Sequence, residues 1–338
     1  MTLLEVSNLD VEYQTKEGPI KAVDDVSFAI DEGQRFGLVG ESGCGKSTIA
    51  KSLLQLLPKN GRVTGGSIEF KGRELTSIDD KTLREIRWEE MSFISQSAMN
   101  ALDPVYSVGD QIVEAILTHR DVPKADAKEQ AADLLEDVGL ERKRVNSYPH
   151  ELSGGMRQRA MIAMALALDP ALIIADEPTT ALDVITQDHI IEQINRLLET
   201  IGSSLFIITH DISVVAETCD HVGVMYGGKL VETGPIEEVF VEPEHPYTLG
   251  LLNAFPKIEG GKDELITMPG QPPDLRDPPT GCRFYDRCPY REEKCSQTVP
   301  PLSVRGKNQR AACFVSEEQN ITDEYEKIIN TEEQWLKL

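Results

Sequence analysis

The sequence has no long apolar run. The longest, Ala160 to Leu168, is less than half of the roughly 20 residues that a bilayer-crossing helix needs. Positive charge is also scarce: 34 Lys and Arg stand against 57 Asp and Glu, a net charge of −23. That excludes a sequence-independent grip on nucleic acid, which needs basic side chains to neutralise phosphates, and adhesion to anionic lipid through a basic patch. If such a chain works at a membrane, another protein must hold it there. The first residues, Met1 to Glu5, carry no basic region and no apolar core, so nothing there reads as a secretory signal, and the expectation is a protein that starts and stays in the cytoplasm. No internal repeat occurs at the periods that mark solenoids or propellers.

What is present is an ordinary globular balance of apolar and charged residues, in a chain of 338 residues, long enough for one full-sized domain and a smaller second one. Strand-like stretches at Leu3–Tyr13, Val26–Ile30 and Arg35–Val39 lead into a glycine loop. The apolar spacing of Ile49, Leu53, Leu54, Leu56 and Leu57 predicts a helix that stops at Pro58. Ser67–Phe70 and Met91–Ile94 read as strands, and the stretch from Asn100 to about Met156 turns helical and charged. Two strand–helix units follow, Leu172–Ala175 into a helix from Asp183 and Leu205–Ile208 into a helix from Ile212, which favours a parallel sheet covered on both faces. Val222–Tyr226, Gly227-Gly228 and Lys229–Glu232 predict a hairpin. After Gly234-Pro235 the composition shifts, with dense proline between Pro269 and Pro279. The predicted division is residues 1–235 as an α/β domain with a helical insert at about 97–160, and residues 236–338 as a small C-terminal extension.

Gly40-Glu41-Ser42-Gly43-Cys44-Gly45-Lys46-Ser47-Thr48 fits G-x4-G-K-S/T between a strand and a helix, the context of a phosphate-binding loop. Glycines let backbone N–H groups turn inward around a phosphate at a helix N-terminus. Lys46 is expected to reach the β- and γ-phosphates of ATP, and the Ser47 hydroxyl to bind Mg2+. Cys44, inside the loop, reads as a small tolerated residue or as a thiolate favoured by the helix N-terminus. Ile173-Ile174-Ala175-Asp176-Glu177 is a buried strand ending in two carboxylates, where an acid points into the ligand crevice of a parallel sheet. Asp176 is placed to hold magnesium and Glu177 to accept a proton from the attacking water. Leu152-Ser153-Gly154-Gly155 opens a helix over Met156–Leu168, exposing N–H groups with no phosphate loop of its own nearby in sequence. Ser153 as a plain N-cap is the bland alternative.

Together these segments, with Thr209-His210-Asp211, resemble the nucleotide-binding subunit of ABC (ATP-binding cassette) transporters over roughly the first two thirds of the chain. The resemblance implies a phosphate-loop NTPase fold with an N-terminal β-subdomain and an inserted helical subdomain. It implies a head-to-tail pair in which Ser153, Gly154 and Gly155 meet the γ-phosphate of ATP held by the facing subunit. By the same resemblance His210 is a switch histidine contacting the γ-phosphate, Gln96 touches the magnesium or the attacking water, Asp183 belongs to the cross-subunit loop, and Tyr13 stacks on adenine. A rim tyrosine is a fair competitor for Tyr13.

Cys282, Cys288, Cys295 and Cys313 have five, six and seventeen residues between them. In a reducing compartment four such thiols suggest a metal or an iron–sulfur cluster rather than disulfides. The paired Cys-x2-Cys knuckles of zinc ribbons are absent, so a cubane cluster suits the spacing at least as well as zinc. His245-Pro246-Tyr247-Thr248 and Pro279 to Pro289 resemble the C-terminal extension of ATPases from oligopeptide and dipeptide importers. That resemblance implies a [4Fe-4S] cluster on the four cysteines, Zn2+ being the alternative, with Cys44 and Cys219 excluded. It implies as partners a second ATPase subunit (self or paralogue), two transmembrane permease subunits and an extracytoplasmic solute-binding protein, and a location on the cytoplasmic face of the membrane. The solute expected is a peptide, with nickel or oligosaccharide as alternatives. A soluble ABC ATPase acting on DNA or ribosomes is the rival of another class, and the acidic charge and the lack of coiled-coil inserts or a second cassette disfavour it.

Overall fold

The computed structural model describes residues 1–96, 101–179, 184–254, 268, 270–317 and 321. In chain order it contains β1 (Thr2–Thr15), β2 (Gly18–Asp31), β3 (Arg35–Val39), α1 (Lys46–Leu53), β4 (Gly61–Phe70), β5 (Arg73–Glu74), α2 (Asp80–Ile86), β6 (Met91–Ile94), α3 (Val108–His119), α4 (Lys124–Asp137) and α5 (Gly154–Leu166). There follow β7 (Leu172–Asp176), α6 (Val184–Ile201), β8 (Ser204–Thr209), α7 (Ile212–Thr218), β9 (His221–Tyr226), β10 (Lys229–Pro235), α8 (Ile236–Val241), α9 (Pro246–Asn253), α10 (Glu293–Gln297), β11 (Ser303–Arg305) and β12 (Gln309–Ala311). The chain forms two compact units: residues 1–4, 30–35 and 69–209, and residues 5–29, 36–68 and 210–338. None of the described helices is long and apolar enough to cross a membrane.

In the first unit β6, β7 and β8 run parallel, Met91–Ile94 in register with Leu172–Ala175, and Leu172–Asp176 with Ser204–Ile208. Every residue of β7 and β8 is buried, as the unbroken apolar runs of a strand covered on both faces require. The helical part packs α3, α4 and α5 together. Ser107 starts α3 by accepting the Asp110 N–H, and α3 buries Ile112, Val113 and Ile116, while the stripe Ala127, Ala131 and Leu135 buries α4.

In the second unit β3 pairs with β9 in parallel, Phe36 against His221 through Val39 against Val224. β9 and β10 make the expected hairpin, with Gly227 (φ 55°) and Gly228 (φ 84°) both left-handed, the backbone a two-residue I′ turn demands. The C-terminal segment extends this sheet: β12 pairs antiparallel with β10, Glu232 opposite Ala311, and β11 pairs with β12. The phosphate-loop sequence and the four-cysteine segment therefore lie in the same compact unit.

Some boundaries depart from the sequence reading. α1 ends at Leu53 rather than continuing to Leu57, because Gln55 takes a left-handed backbone (φ 52°) and Leu56 turns out to solvent. β2 begins at Gly18, not Val26. Its charged middle is tolerated because Asp24 is ion-paired to Lys21 and Lys229 and accepts the Arg283 guanidinium at 2.5 Å. β4 begins at Gly61 rather than Ser67.

Candidate functional site

The phosphate-loop sequence leaves β3 at Val39 and enters α1 at Lys46. Gly40 (φ 152°), Gly43 (φ 82°) and Gly45 (φ 106°) all need glycine's backbone freedom. Two of them need its lack of a side chain as well: a Cβ on Gly40 would sit 2.2 Å from the Met225 carbonyl oxygen, and one on Gly45 would sit 2.3 Å from that of Ala22. Lys46 is buried, and its Nζ donates to the carbonyls of Gly40 (2.7 Å) and Glu41 (2.9 Å), with Cys44 Sγ at 3.6 Å. The ammonium group thus sits inside the turn of the loop, while Ser42 and Gly43 face solvent and Ser47 is half-buried. Cys44 is buried, and burial pushes its thiol up in spite of Lys46, so the sequence's thiolate alternative does not hold. Tyr13 is half-buried and its hydroxyl lies 3.2 Å from Thr48 Oγ1, at the foot of α1. Its ring fits because position 61 is glycine: a Cβ there would come within 2.7 Å of Tyr13 Cε1.

In the first unit β7 ends on Asp176, which is buried, followed by the half-buried Glu177. Glu177 adopts a left-handed backbone (φ 49°), an unusual conformation for a residue with a side chain, and its N–H is fixed by the Ile208 carbonyl at 2.8 Å. Gln96, two residues past β6, donates from Nε2 to Glu177 Oε2 at 2.6 Å. The register of β6 on β7 brings this amide and this carboxylate together. Ser153 is exposed and caps α5, its Oγ accepting the Met156 N–H at 3.3 Å. Gly154 and Gly155 are half-buried, and Gly155 is tight: a Cβ would lie 2.9 Å from Thr186 Cγ2. Of the remaining expected residues, His210 is exposed immediately after β8, and Asp183 lies outside the described residues.

A cleft of about 220 Å³ opens beside the loop, with Glu41 to Cys44 on one wall and Pro272 and Pro273 on another. A larger cleft, about 410 Å³, borders Arg159, His189 and Arg196 in the first unit and holds none of the predicted residues.

Along the sequence, the ABC transporter family profile matches residues 23–180, and that of the oligopeptide/dipeptide transporter C-terminal region matches residues 231–295. The oligopeptide transport ATP-binding protein OppD of Salmonella typhimurium is 46% identical over 314 residues, covering 92% of this chain and 93% of that protein. The dipeptide transport ATP-binding protein DppD of Bacillus subtilis is 43% identical over 320 residues, covering 94% and 96%. The chain belongs to the ABC transporter family. Among solved structures, the dimeric post-hydrolysis state of the ATP-binding cassette MJ0796 bound to ADP and Pi is similar with a TM-score of 0.63 and 28% identity, over 69% of this chain and 98% of that one. This ABC protein is an α/β phosphate-loop ATPase.

The four tail cysteines of the ABC chain converge without forming a metal site. Cys282 N–H donates to the Cys295 carbonyl at 2.7 Å. Burial pushes the Cys282 thiol up to about 11, and burial likewise raises Cys288 and Cys313; the neighbouring cysteines' charges add to each shift. Yet among the described residues no three His, Cys, Asp or Glu side chains are grouped as metal ligands. Cys288, Cys295 and Cys313 are buried and Cys282 is half-buried, and as the four side chains are placed the expected [4Fe-4S] cluster and its Zn2+ alternative find no formed site among the described residues.

Sequence reasoning missed a second ring of residues around the phosphate loop. Arg287 pairs with Glu41 across 246 positions, Tyr247 meets the Glu41 backbone, and Arg283 donates to the Gly227 carbonyl at 2.9 Å. The only sequence signal was that Tyr247, Arg283 and Arg287 fall in the two segments that resemble the importer extension. No spacing rule links them to the loop.

Proposed function

We propose that this chain is the ATP-hydrolysing subunit of an importer for oligopeptides or dipeptides, working at the cytoplasmic face of the membrane in a head-to-tail ATPase pair held by permease subunits. The observation that carries the chemical reading is Glu177, strained into a left-handed backbone at the end of β7 and hydrogen-bonded by Gln96. The solute class rests on the relatives' names and on the matched C-terminal region.

In this reading the Gly40–Thr48 backbone N–H groups and Lys46 bind the β- and γ-phosphates. Ser47, Asp176 and Gln96 would hold magnesium through their oxygen atoms, and the metal would supply neutralisation of the charge on the phosphates. Glu177 accepts the proton of the water that attacks the γ-phosphorus, the bond to the β-phosphate oxygen breaks, and ADP leaves. His210 and Asp183 complete the site, Tyr13 flanks the adenine, and Ser153, Gly154 and Gly155 of the facing subunit close over the γ-phosphate through an N-terminal helix dipole. Residues 1–235 form the ATPase domain, with the helical insert at about 97–160, and 236–338 the extension.

The test is phosphate release by the chain reassembled with its permease and binding-protein partners in vesicles. Stimulation by peptide-loaded binding protein supports the reading; stimulation by nickel or an oligosaccharide instead assigns the alternative solutes.

For the tail, we propose the [4Fe-4S] cluster on Cys282, Cys288, Cys295 and Cys313, supported by three buried thiols and one half-buried one within electrostatic reach of one another and opposed by the absence of a formed site among the described residues. Anaerobically purified protein with equal iron and sulfide supports it. Stoichiometric zinc replaces it, and neither metal removes it.

A further inference from the structure

Two side chains from the C-terminal segment hold one residue of the phosphate loop. Arg287 gives both terminal nitrogens to the Glu41 carboxylate, Nη1 to Oε2 at 2.9 Å and Nη2 to Oε1 at 2.9 Å. Tyr247 Oη accepts the Glu41 N–H at 2.9 Å. Both side chains are buried, Arg287 at 6% exposure and Tyr247 at 0%. Arg287 is fixed in turn, donating to Tyr226 Oη at 3.1 Å with its guanidinium carbon 5.6 Å from the Tyr226 ring centre and 5.8 Å from that of Phe284. On the other side of Glu41, its carbonyl accepts Lys46 Nζ at 2.9 Å. Arg287, Glu41 and Lys46 therefore form one chain of direct contacts.

We propose that Arg287 and Tyr247 are positioning residues for nucleotide binding, bracing the phosphate loop through Glu41 so that the C-terminal segment sets part of the affinity for ATP. This rests on reading Gly40–Thr48 as the phosphate loop. Two effects give the brace its sign. A loop with three left-handed glycines is costly to order, and a bidentate pair with a backbone hydrogen bond fixes its second residue before nucleotide arrives. Glu41 also places a carboxylate in an anion-binding loop, and the Arg287 charge cancels its repulsion of phosphate. Lysine at 287 keeps the charge but loses the planar fork.

The experiment measures equilibrium ATP binding, KM and kcat, and thermal unfolding on the full chain for Arg287→Ala, Arg287→Lys, Tyr247→Phe, Glu41→Gln and the double variant Arg287→Ala/Glu41→Gln. Arg291→Ala, an exposed arginine four residues on, is the control. Arg287→Ala is expected to weaken ATP binding by about tenfold and to raise KM far more than it lowers kcat. Arg287→Lys, which covers the case of an unstable alanine variant, and Tyr247→Phe are expected to fall between it and the parent. Because Arg287 acts through Glu41, the double variant is expected to bind no more weakly than Arg287→Ala. Folded Arg287 variants that bind ATP within twofold of the parent overturn the proposal, as does a double variant whose loss equals the sum of the singles. Lys46→Ala is measured alongside: if it binds ATP like the parent, the loop reading itself fails and takes the brace with it, an outcome distinct from failure of Arg287 alone.

Discussion

Gln96 and Glu177 meet at 2.6 Å, amide nitrogen to carboxylate oxygen, although they stand 81 positions apart in the chain. The parallel register of β6 on β7 makes the meeting possible, and it leaves Glu177 oriented by a neutral donor that does not compete for its charge. Glu177→Gln is therefore expected to keep ATP binding and to cut hydrolysis at least about a hundredfold, the range for losing a general base. Parent-like turnover of the purified Glu177→Gln chain would remove Glu177 from the mechanism.

Ser153 is exposed and its hydroxyl caps α5. Losing a cap costs about 1 kcal/mol of local stability, which Ser153→Ala would show in thermal unfolding whatever its role. The facing-subunit reading demands more. In a Glu177→Gln background, ATP is expected to drive dimerisation of the parent and not of Ser153→Ala, read by sedimentation with and without nucleotide. Equal dimerisation of both would leave Ser153 a cap and nothing else.

Glu232 is fully buried in β10, accepting the N–H groups of Glu244 and His245 and the Gln309 amide, and burial pushes its carboxyl up to about 7. Nearby His245 is buried too, and burial pushes its imidazole down to about 3. The folded chain holds the Glu232 proton to a higher pH than the unfolded chain does, so its stability contribution is complete below pH 4.5 and is lost as pH rises to about 7. His245 acts the other way, its contribution complete above pH 6.5 and lost as pH falls towards 3. The difference between the parent and Glu232→Gln isolates the carboxyl. Between pH 4.5 and 7 it is expected to move in favour of the variant by on the order of 1–3 kcal/mol in urea unfolding, the hydrogen bonds to the ionised form keeping it at the low end. A pH-independent difference would contradict the assignment.

The parts of the site that were legible are those encoded within a few residues. The spacing of Gly40, Gly45 and Lys46 states a backbone conformation and a charge, and the apolar run into Asp176 and Glu177 states a covered strand ending at a crevice. The hairpin at Gly227-Gly228 follows from the same local logic. What could not be read were relations set by packing between distant segments. Nothing in the sequence marks Glu41 as the partner of Arg287, because an ion pair across 246 positions has no period. Asp24 and Asp25 hid the first half of β2, since Asp24 meets Lys21, Lys229 and Arg283, and Asp25 Oδ1 accepts the Asn8 amide, only once the fold forms. The cysteines show the opposite case, a legible cluster whose spacing promises a metal site that side-chain placement does not complete.

Phe284 anchors the tail to the second unit's core. It is 1% exposed, its ring edge-on to Tyr226 with centres 5.2 Å apart and to Tyr247 at 5.5 Å, and tilted against His245 at 5.9 Å. These rings also carry Arg287, so the cluster supports the brace as well as the tail. Phe284→Ala opens a cavity that the flanking backbone, pinned by the Cys282 N–H bond to Cys295, cannot collapse to fill. The expected cost is about 3–5 kcal/mol, seen as a lower unfolding midpoint, whereas Phe284→Leu, which keeps most of the volume, is expected to lose less than half of that. If the tail contributed nothing to the unit that holds the phosphate loop, limited proteolysis of Phe284→Ala would clip residues after 268 and leave the remaining chain melting at the parent midpoint. The β12–β10 pairing and the Arg287–Glu41 contact argue for the other result, in which tail and loop regions melt together at a lowered temperature.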